Sequence, residues 1–209
     1  NNTIFGTQLK NIPALDIPLV ADMSSDIFSR ELDFTKFDLI YAGAQKNMGP
    51  AGTTLVVVRE DILGKVTRKV PAMLDYTQHI SKGSMYNTPP VFAVYTSLLT
   101  LRWLKENGGI KGAEENNDKK ATLIYSEIDL NPLFTGFAAL EDRSSMNATF
   151  NLTEDNLKET FDTMLKEAGI SGVNGHRSVG GYRASMYNAL SLKSVGTLVD
   201  VMSELERKA

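Results

Sequence analysis

Three short apolar runs, Ile17 to Ala21, Asp38 to Ala42 and Thr53 to Val58, are separated by turn-rich stretches, and their spacing constrains the chain more than any other feature. Runs this short, bounded by turns, read as buried strands of an α/β sheet rather than as helices, and the third, with three consecutive valines, is the most β-prone. Between the first two, Ser24 to Arg30 has room for one short helical turn, and Asp33 to Lys36 reads as surface loop. In sheets of this kind, ligand chemistry sits beyond the strand ends.

After Pro89 the pattern changes. Val91, Val94, Tyr95, Leu98, Leu101 and Leu104 recur at helical spacing behind two prolines that suit a first turn. Asn107-Gly108-Gly109 interrupts that helix, and a second is expected over Ile110 to Ile128. Beyond Asn131-Pro132 the expected order is a strand (Arg143 to Leu152), a helix (Thr153 to Ala168), strands at Val173 to Arg177 and Gly181 to Asn188, and a closing helix. That last helix carries its apolar stripe on Val195, Leu198, Val199, Met202 and Leu205. The fold class is therefore α/β, with a sheet domain over 1–110 and a smaller α+β domain over 111–209.

The composition excludes several classes of function. The chain of 209 residues has no cysteine, which rules out disulfides, thiol nucleophiles and cysteine-ligated zinc, and no metal site is expected. With 22 basic against 25 acidic side chains and no long basic run, neither nucleic acid nor an anionic membrane is favoured as a partner. No apolar stretch approaches membrane-spanning length and the first residues carry no basic leader, so a cytoplasmic protein is expected.

The densest polar segment is Tyr41-Ala42-Gly43-Ala44-Gln45-Lys46-Asn47-Met48-Gly49-Pro50-Ala51-Gly52, between the second and third apolar runs. Glycines and a proline around one lysine let backbone approach a ligand while holding the ammonium off a strand end. It is not a Walker loop, since Lys46 is followed by Asn47 and then a strand. Asp22 closes the first run, so adjacent parallel strands would bring its carboxylate and the Lys46 amine to one rim. From the residues alone, two readings stay open. The pair is either a strand-end ion pair or the acid and amine that a pyridine-aldehyde cofactor requires. In the second half, His176, Arg177 and Arg183, bracketed by Gly175, Gly180 and Gly181, read either as surface residues or as an anion site.

Ala21-Asp22-Met23-Ser24-Ser25, the lysine segment, Tyr86-Asn87-Thr88-Pro89-Pro90, Gly175-His176-Arg177 and Gly180-Gly181-Tyr182-Arg183-Ala184-Ser185 together resemble the phosphoserine aminotransferase family. That family belongs to the class V, fold type I, pyridoxal-phosphate enzymes. The resemblance implies part of the large cofactor-binding sheet domain followed by a small C-terminal α+β domain. It implies pyridoxal 5'-phosphate as cofactor and amino transfer between phosphoserine and 2-oxoglutarate, in serine synthesis and in pyridoxal-phosphate synthesis. Lys46 would form the Schiff base and shuttle the proton, and Asp22 would pair with the pyridine nitrogen. Thr3, Gln45, Asn87 and Thr88 would contact the cofactor. Arg183 would take the substrate α-carboxylate, and His176 and Arg177 its phosphate or distal carboxylate. Asn87, Thr88, His176 and Arg177 would act across the subunit boundary of a homodimer, while Arg143 reads as structural.

The family's polypeptide is longer, and the resemblance places this sequence in its C-terminal portion, as a fragment with exposed sheet edges and an unburied apolar face. Two other readings remain: a class V relative with a different amino acceptor, and a non-catalytic module as it stands.

Overall fold

A computed structural model describes residues 1–209. The chain divides into two compact units, one made of Ile12–Ile27 and Leu32–Glu106, the other of Asn1–Asn11, Phe28–Glu31 and Asn107–Ala209.

In the first unit, β1 (Val20–Asp22), β2 (Leu39–Gly43) and β3 (Thr54–Val58) form a sheet in that order. β1 and β2 run parallel with Asp22 opposite Tyr41, and β3 returns antiparallel with Thr54 opposite Gly43. The first strand starts later than its apolar run. Pro18 has no N–H to give a ladder, and Ile17 is exposed. The ladder is closed instead by buried Asp38, whose carboxylate accepts from Leu19 N at 2.6 Å and pairs with Arg59 at 2.8 Å. Parallel strands need a crossover. Here it contains no regular α-helix: Ser24 to Arg30 makes turns, with Ile27 N bonded to Met23 O at 2.8 Å. The expected loop at Asp33 to Lys36 is a turn of 3-10 helix over Phe34–Lys36, capped by the Asp33 side chain.

A short helix, α1 (Tyr76–Ser81), was not legible as a period, because it is only one and a half turns long; Asp75 caps it through Thr77 N. The long helix α2 (Val91–Glu106) starts directly after Pro90. Most of its apolar stripe is not buried in this chain: Val91, Val94, Tyr95 and Leu98 are exposed, and the residues that pack are Leu104 from the stripe together with Ala93 and Ser97.

The second unit opens with α3 (Gly109–Leu130), followed by β4 (Phe134–Gly136), β5 (Asn147–Leu152), α4 (Lys158–Glu167), β6 (Tyr182–Ser185) and α5 (Leu192–Lys208). β5 is central and antiparallel to both neighbours, with Thr149 opposite Arg183 and Gly136 opposite Phe150. One face of this sheet carries Phe134, Phe150 and Tyr182; Phe150 lies 5.7 and 5.5 Å from the other two rings, and Phe134 and Tyr182 meet Phe161 of α4 at 5.3 and 5.0 Å. α5 covers that core with Val195, Leu198, Val201, Met202 and Leu205. Val201 replaces the expected Val199, which is only partly buried.

Three expectations are corrected here. Val173 to Arg177 is not a strand: Gly172, Gly180 and Gly181 have positive φ, and the segment touches β6 only through an Asn174–Tyr182 bridge and Arg183 N on Val173 O. β5 starts at Asn147 rather than Arg143, and β4, only three residues long, was not foreseen. α4 starts at Lys158, after a 3-10 turn over Asp155–Leu157, rather than at Thr153.

Phe28–Glu31 belongs with this unit because buried amides hold it. Asn117 Nδ2 donates to Ser29 O and to Asn188 Oδ1, both at 2.9 Å, and Asn188 Nδ2 donates to Phe28 O at 2.9 Å. One turn along α3, fully buried Lys120 donates to Met186 O at 2.8 Å and Tyr187 O at 2.9 Å, fixing the chain that leaves β6. Burial pushes the Lys120 ammonium down from 10.5 to about 8. The folded chain therefore releases this proton before the unfolded chain does, and stability rises with pH above about 8. Relative to Lys120→Met, the parent chain should gain about 2 kcal/mol of stability between roughly pH 7.5 and 9.5. Urea denaturation of the pair at both pH values checks this, and a difference that does not change with pH would contradict it.

Candidate active site

In the first unit the site residues gather at the C-terminal end of the parallel pair. Asp22 is the last residue of β1, and its Oδ1 accepts from Ser24 N at 2.8 Å. The Ser24 hydroxyl in turn accepts from Gly43 N at 3.0 Å, so the two strand ends are tied through one serine. Partial burial works to raise the Asp22 pKa. The Ser24 hydroxyl and amide, the Lys46 charge and the Tyr41 hydroxyl together outweigh it and hold the carboxyl below its ordinary range. An exposed carboxylate that stays ionised beside a lysine is thus the electrostatic content of the rim.

The lysine loop has little freedom. Ala44 N bonds Thr53 O at 2.9 Å, and Met48 N and Gly49 N both return to Ala44 O, which winds 44–49 into one tight turn. Asn47 and Met48 are buried, with Asn47 Nδ2 on Ile27 O at 3.1 Å, and Lys46 beside them is half-buried. The Gln45 side chain folds back over Gly43 and fills the space a Cβ would need. Gly49 is pressed against α2: a Cβ there would lie 2.8 Å from Ser97 Oγ and 3.1 Å from Ser97 Cα. Gly52 rests on Ala93, one helical turn away. Ala93 and Ser97 are small because the loop lies on them.

The structure brings Asp22, Gln45 and Lys46 together. Asn87 and Thr88 lie on the exposed segment that leads into α2, with Asn87 Nδ2 on Thr88 O at 3.1 Å.

In the second unit, Arg183 lies on β6 with Nη1 donating to the backbone carbonyl of Thr3 at 3.1 Å, while its Nε is buried without a partner. Thr3 therefore meets Arg183 through its main chain. His176 and Arg177 occupy a tight turn in which Val179 N and Gly180 N bond His176 O at 2.9 and 2.8 Å. His176 Nδ1 meets Ser178 Oγ at 2.7 Å, and Arg177 is exposed. This turn demands glycine: a Cβ on Gly175 would collide with Gly180 O, and one on Gly181 with Asn151. Arg143 is held by both oxygens of Asp129 at 2.7 Å and lies over the Tyr125 ring at 4.7 Å, which is a packing role.

Sequence reasoning did not assign roles to Ser24, Ser97 or the Thr3 carbonyl. The Asp-x-Ser spacing of 22–24 could have indicated the first, and the Ala93/Ser97 gap in the α2 stripe the second. A backbone carbonyl leaves no sequence signal.

Residues 2–198 match the model of the aminotransferase class-V family. The chain is 69% identical over 208 residues to a phosphoserine aminotransferase of Flavobacterium psychrophilum, covering 100% of this chain and 58% of that protein. Among solved structures, it is similar to the phosphoserine aminotransferase from Bacillus circulans subsp. alkalophilus, with a TM-score of 0.95 and 44% identity over 100% of this chain and 58% of that one. It is also similar to a PLP-bound phosphoserine aminotransferase from Trichomonas vaginalis, with a TM-score of 0.91 and 36% identity over 97% of this chain and 58% of that one. The chain spans a little under three fifths of the length of these relatives.

Gly49→Ala should lower the stability of the first unit by about 1–3 kcal/mol, because the added methyl meets α2 backbone that cannot rotate away. Thermal unfolding beside the parent chain measures this, and an unchanged midpoint would show that the loop does not bear on α2.

Proposed function

Since this chain belongs to the class-V aminotransferase family, we propose that it carries the lysine, ring-nitrogen and carboxylate sites of a phosphoserine:2-oxoglutarate aminotransferase. The observation that carries the reading is the ionised Asp22 carboxylate under the Lys46 charge at the end of a parallel strand pair. That donor set fits pyridoxal 5'-phosphate. When bound, the cofactor supplies an aldehyde and an electron-withdrawing ring. Asp22, kept ionised by Ser24, Lys46 and Tyr41, would keep the ring nitrogen protonated. Lys46 would be the amine that holds the group and, once displaced by the substrate's amino group, the base that takes and returns the proton at the substrate Cα. Gln45, folded over Gly43 next to Lys46, and Thr3 provide further cofactor contacts.

Recognition of the substrate falls to cations. Arg183 takes the α-carboxylate through donors its Thr3 contact leaves open. His176 and Arg177, on their glycine-bounded turn, take the phosphate of phosphoserine or the distal carboxylate of glutamate. Asn87 and Thr88, exposed in this chain, serve a neighbouring subunit's cofactor in a homodimer, and His176 and Arg177 act across the same boundary. The large cofactor domain is then built on Ile12–Ile27 and Leu32–Glu106, and the small one on Asn107–Ala209 with Asn1–Asn11 and Phe28–Glu31 joined to it. The product serves serine synthesis, with pyridoxal-phosphate synthesis as a second use, in the cytoplasm. No helix is long and apolar enough to cross a membrane.

The test is a visible absorbance spectrum of the chain with pyridoxal phosphate, before and after adding phosphoserine, beside Lys46→Ala. A lysine-dependent band that shifts with phosphoserine and not with alanine supports the reading. A band that responds to alanine equally would point to a class V relative with another acceptor, and no band at all would reduce the chain to a non-catalytic module. In any preparation that turns over phosphoserine, Asp22→Asn should lower the rate by on the order of a hundredfold or more, because a neutral amide cannot keep the ring nitrogen protonated.

A further inference from the structure

The first eleven residues belong to the second unit and run beside the start of β5. Thr7 bridges Arg143, Gln8 N bonds Asp142 O at 2.8 Å, and Ser144 N bonds Gly6 O at 2.9 Å. Within this segment the chain makes a closed loop. Asn2 N bonds Thr7 O at 2.7 Å, Gly6 N bonds Asn2 O at 3.1 Å, and the Asn2 side-chain oxygen accepts from Ile4 N at 2.9 Å and Phe5 N at 3.1 Å. The far side of the loop is fixed to the sheet by Thr149, whose hydroxyl donates to Phe5 O at 2.9 Å. Gly6, with φ of 68°, lies so close to β5 that a Cβ would sit 2.8 Å from Asn147 O. The Thr3 carbonyl projects from this loop and takes Arg183 Nη1. Thr149 is also the residue paired with Arg183 across the strands, so one β5 residue holds the loop through its side chain and faces the arginine across the ladder.

We propose that the Asn2–Thr7 loop is a positioning device for the Arg183 guanidinium, with Thr149 and Asn2 as its two anchoring side chains. It holds Nη1 and leaves Nη2 to receive a carboxylate, while Nε is buried without a partner. An arginine is long and rotatable, and a bidentate contact needs its fork already oriented. An acceptor carried on a hydrogen-bonded loop supplies that orientation without introducing a carboxylate that would compete with the ligand. The second half of the proposal rests on reading Arg183 as the carboxylate donor; the first half does not.

Nitrogen-labelled arginine NMR of the chain tests it, with the Arg183 signal assigned by its loss in Arg183→Lys. Rotation about the Cζ–Nη1 bond should be slow in the parent chain and in Thr149→Ser, which keeps the hydroxyl, and several-fold faster in Thr149→Val and Asn2→Ala. Titration with 2-oxoglutarate should then show affinity about tenfold weaker in Thr149→Val, near the parent value in Thr149→Ser, and no further loss when Thr149→Val is added to Arg183→Lys. Unchanged rotation in both loop variants overturns the proposal, as does a Thr149→Val effect that persists without Arg183. Faster rotation with no response of the parent Arg183 signal to 2-oxoglutarate supports the positioning loop and overturns the carboxylate reading instead. Asn2 is exposed, so its variant carries the test if Thr149→Val does not fold.

Discussion

Asp22 reaches its position because β1 and β2 run in parallel with a register that sets it opposite Tyr41. Shift that register by one residue and the carboxylate would turn to the other face of the sheet, away from the Ser24 hydroxyl that bridges it to Gly43. The register is fixed at the other end by Asp38, whose buried carboxylate joins Leu19 N to Arg59. A structural acid at the strand starts thus sets where Asp22 falls at the strand ends. The same sheet explains the lysine loop: β2 ends at Gly43, β3 begins at Thr54, and the ten residues between can close only as a tight turn laid on α2.

The second unit obtains its rigidity differently. Four aromatic rings and the buried stripe of α5 make a core that β5 crosses, and β5 then offers Thr149 to the segment beside it. Lys120 satisfies carbonyls where β6 gives way to α5, and the Asn117–Asn188 pair satisfies those of Phe28 and Ser29. Each of these buried polar groups costs solvation, and each is placed where a chain turns and regular pairing stops. The strand that carries Arg183 is therefore held from one side by a ladder and just past its end by the Lys120 ammonium, while a carbonyl holds the guanidinium.

How much of this the sequence discloses depends on the range of the interaction. β2, β3 and the starts of α2 and α3 follow from local signals: apolar runs, Pro89-Pro90 and Gly108-Gly109. Asp22 and Lys46 were legible as a pair because both sit where a strand ends. The misread elements are those decided by tertiary partners. Val173 to Arg177 has strand-like residues, yet Gly172, Gly180 and Gly181 bend it into a turn that only touches β6. The stripe on α2 has helical spacing, but the packed face is Ala93 and Ser97, because backbone at Gly49 and Gly52 approaches there.

Thr3 shows the limit most clearly. As a side chain it invites a role for its hydroxyl, but the group that touches Arg183 is its carbonyl, an atom every residue possesses. What makes that carbonyl special is the loop around it, and the loop is written in Asn2, Gly6 and Thr149, none of which carries the chemistry itself. The position of Arg183 is thus specified twice, by its own identity and by distant residues that fix the acceptor it leans on. Sequence reading finds the first specification, and only the hydrogen-bond geometry reveals the second.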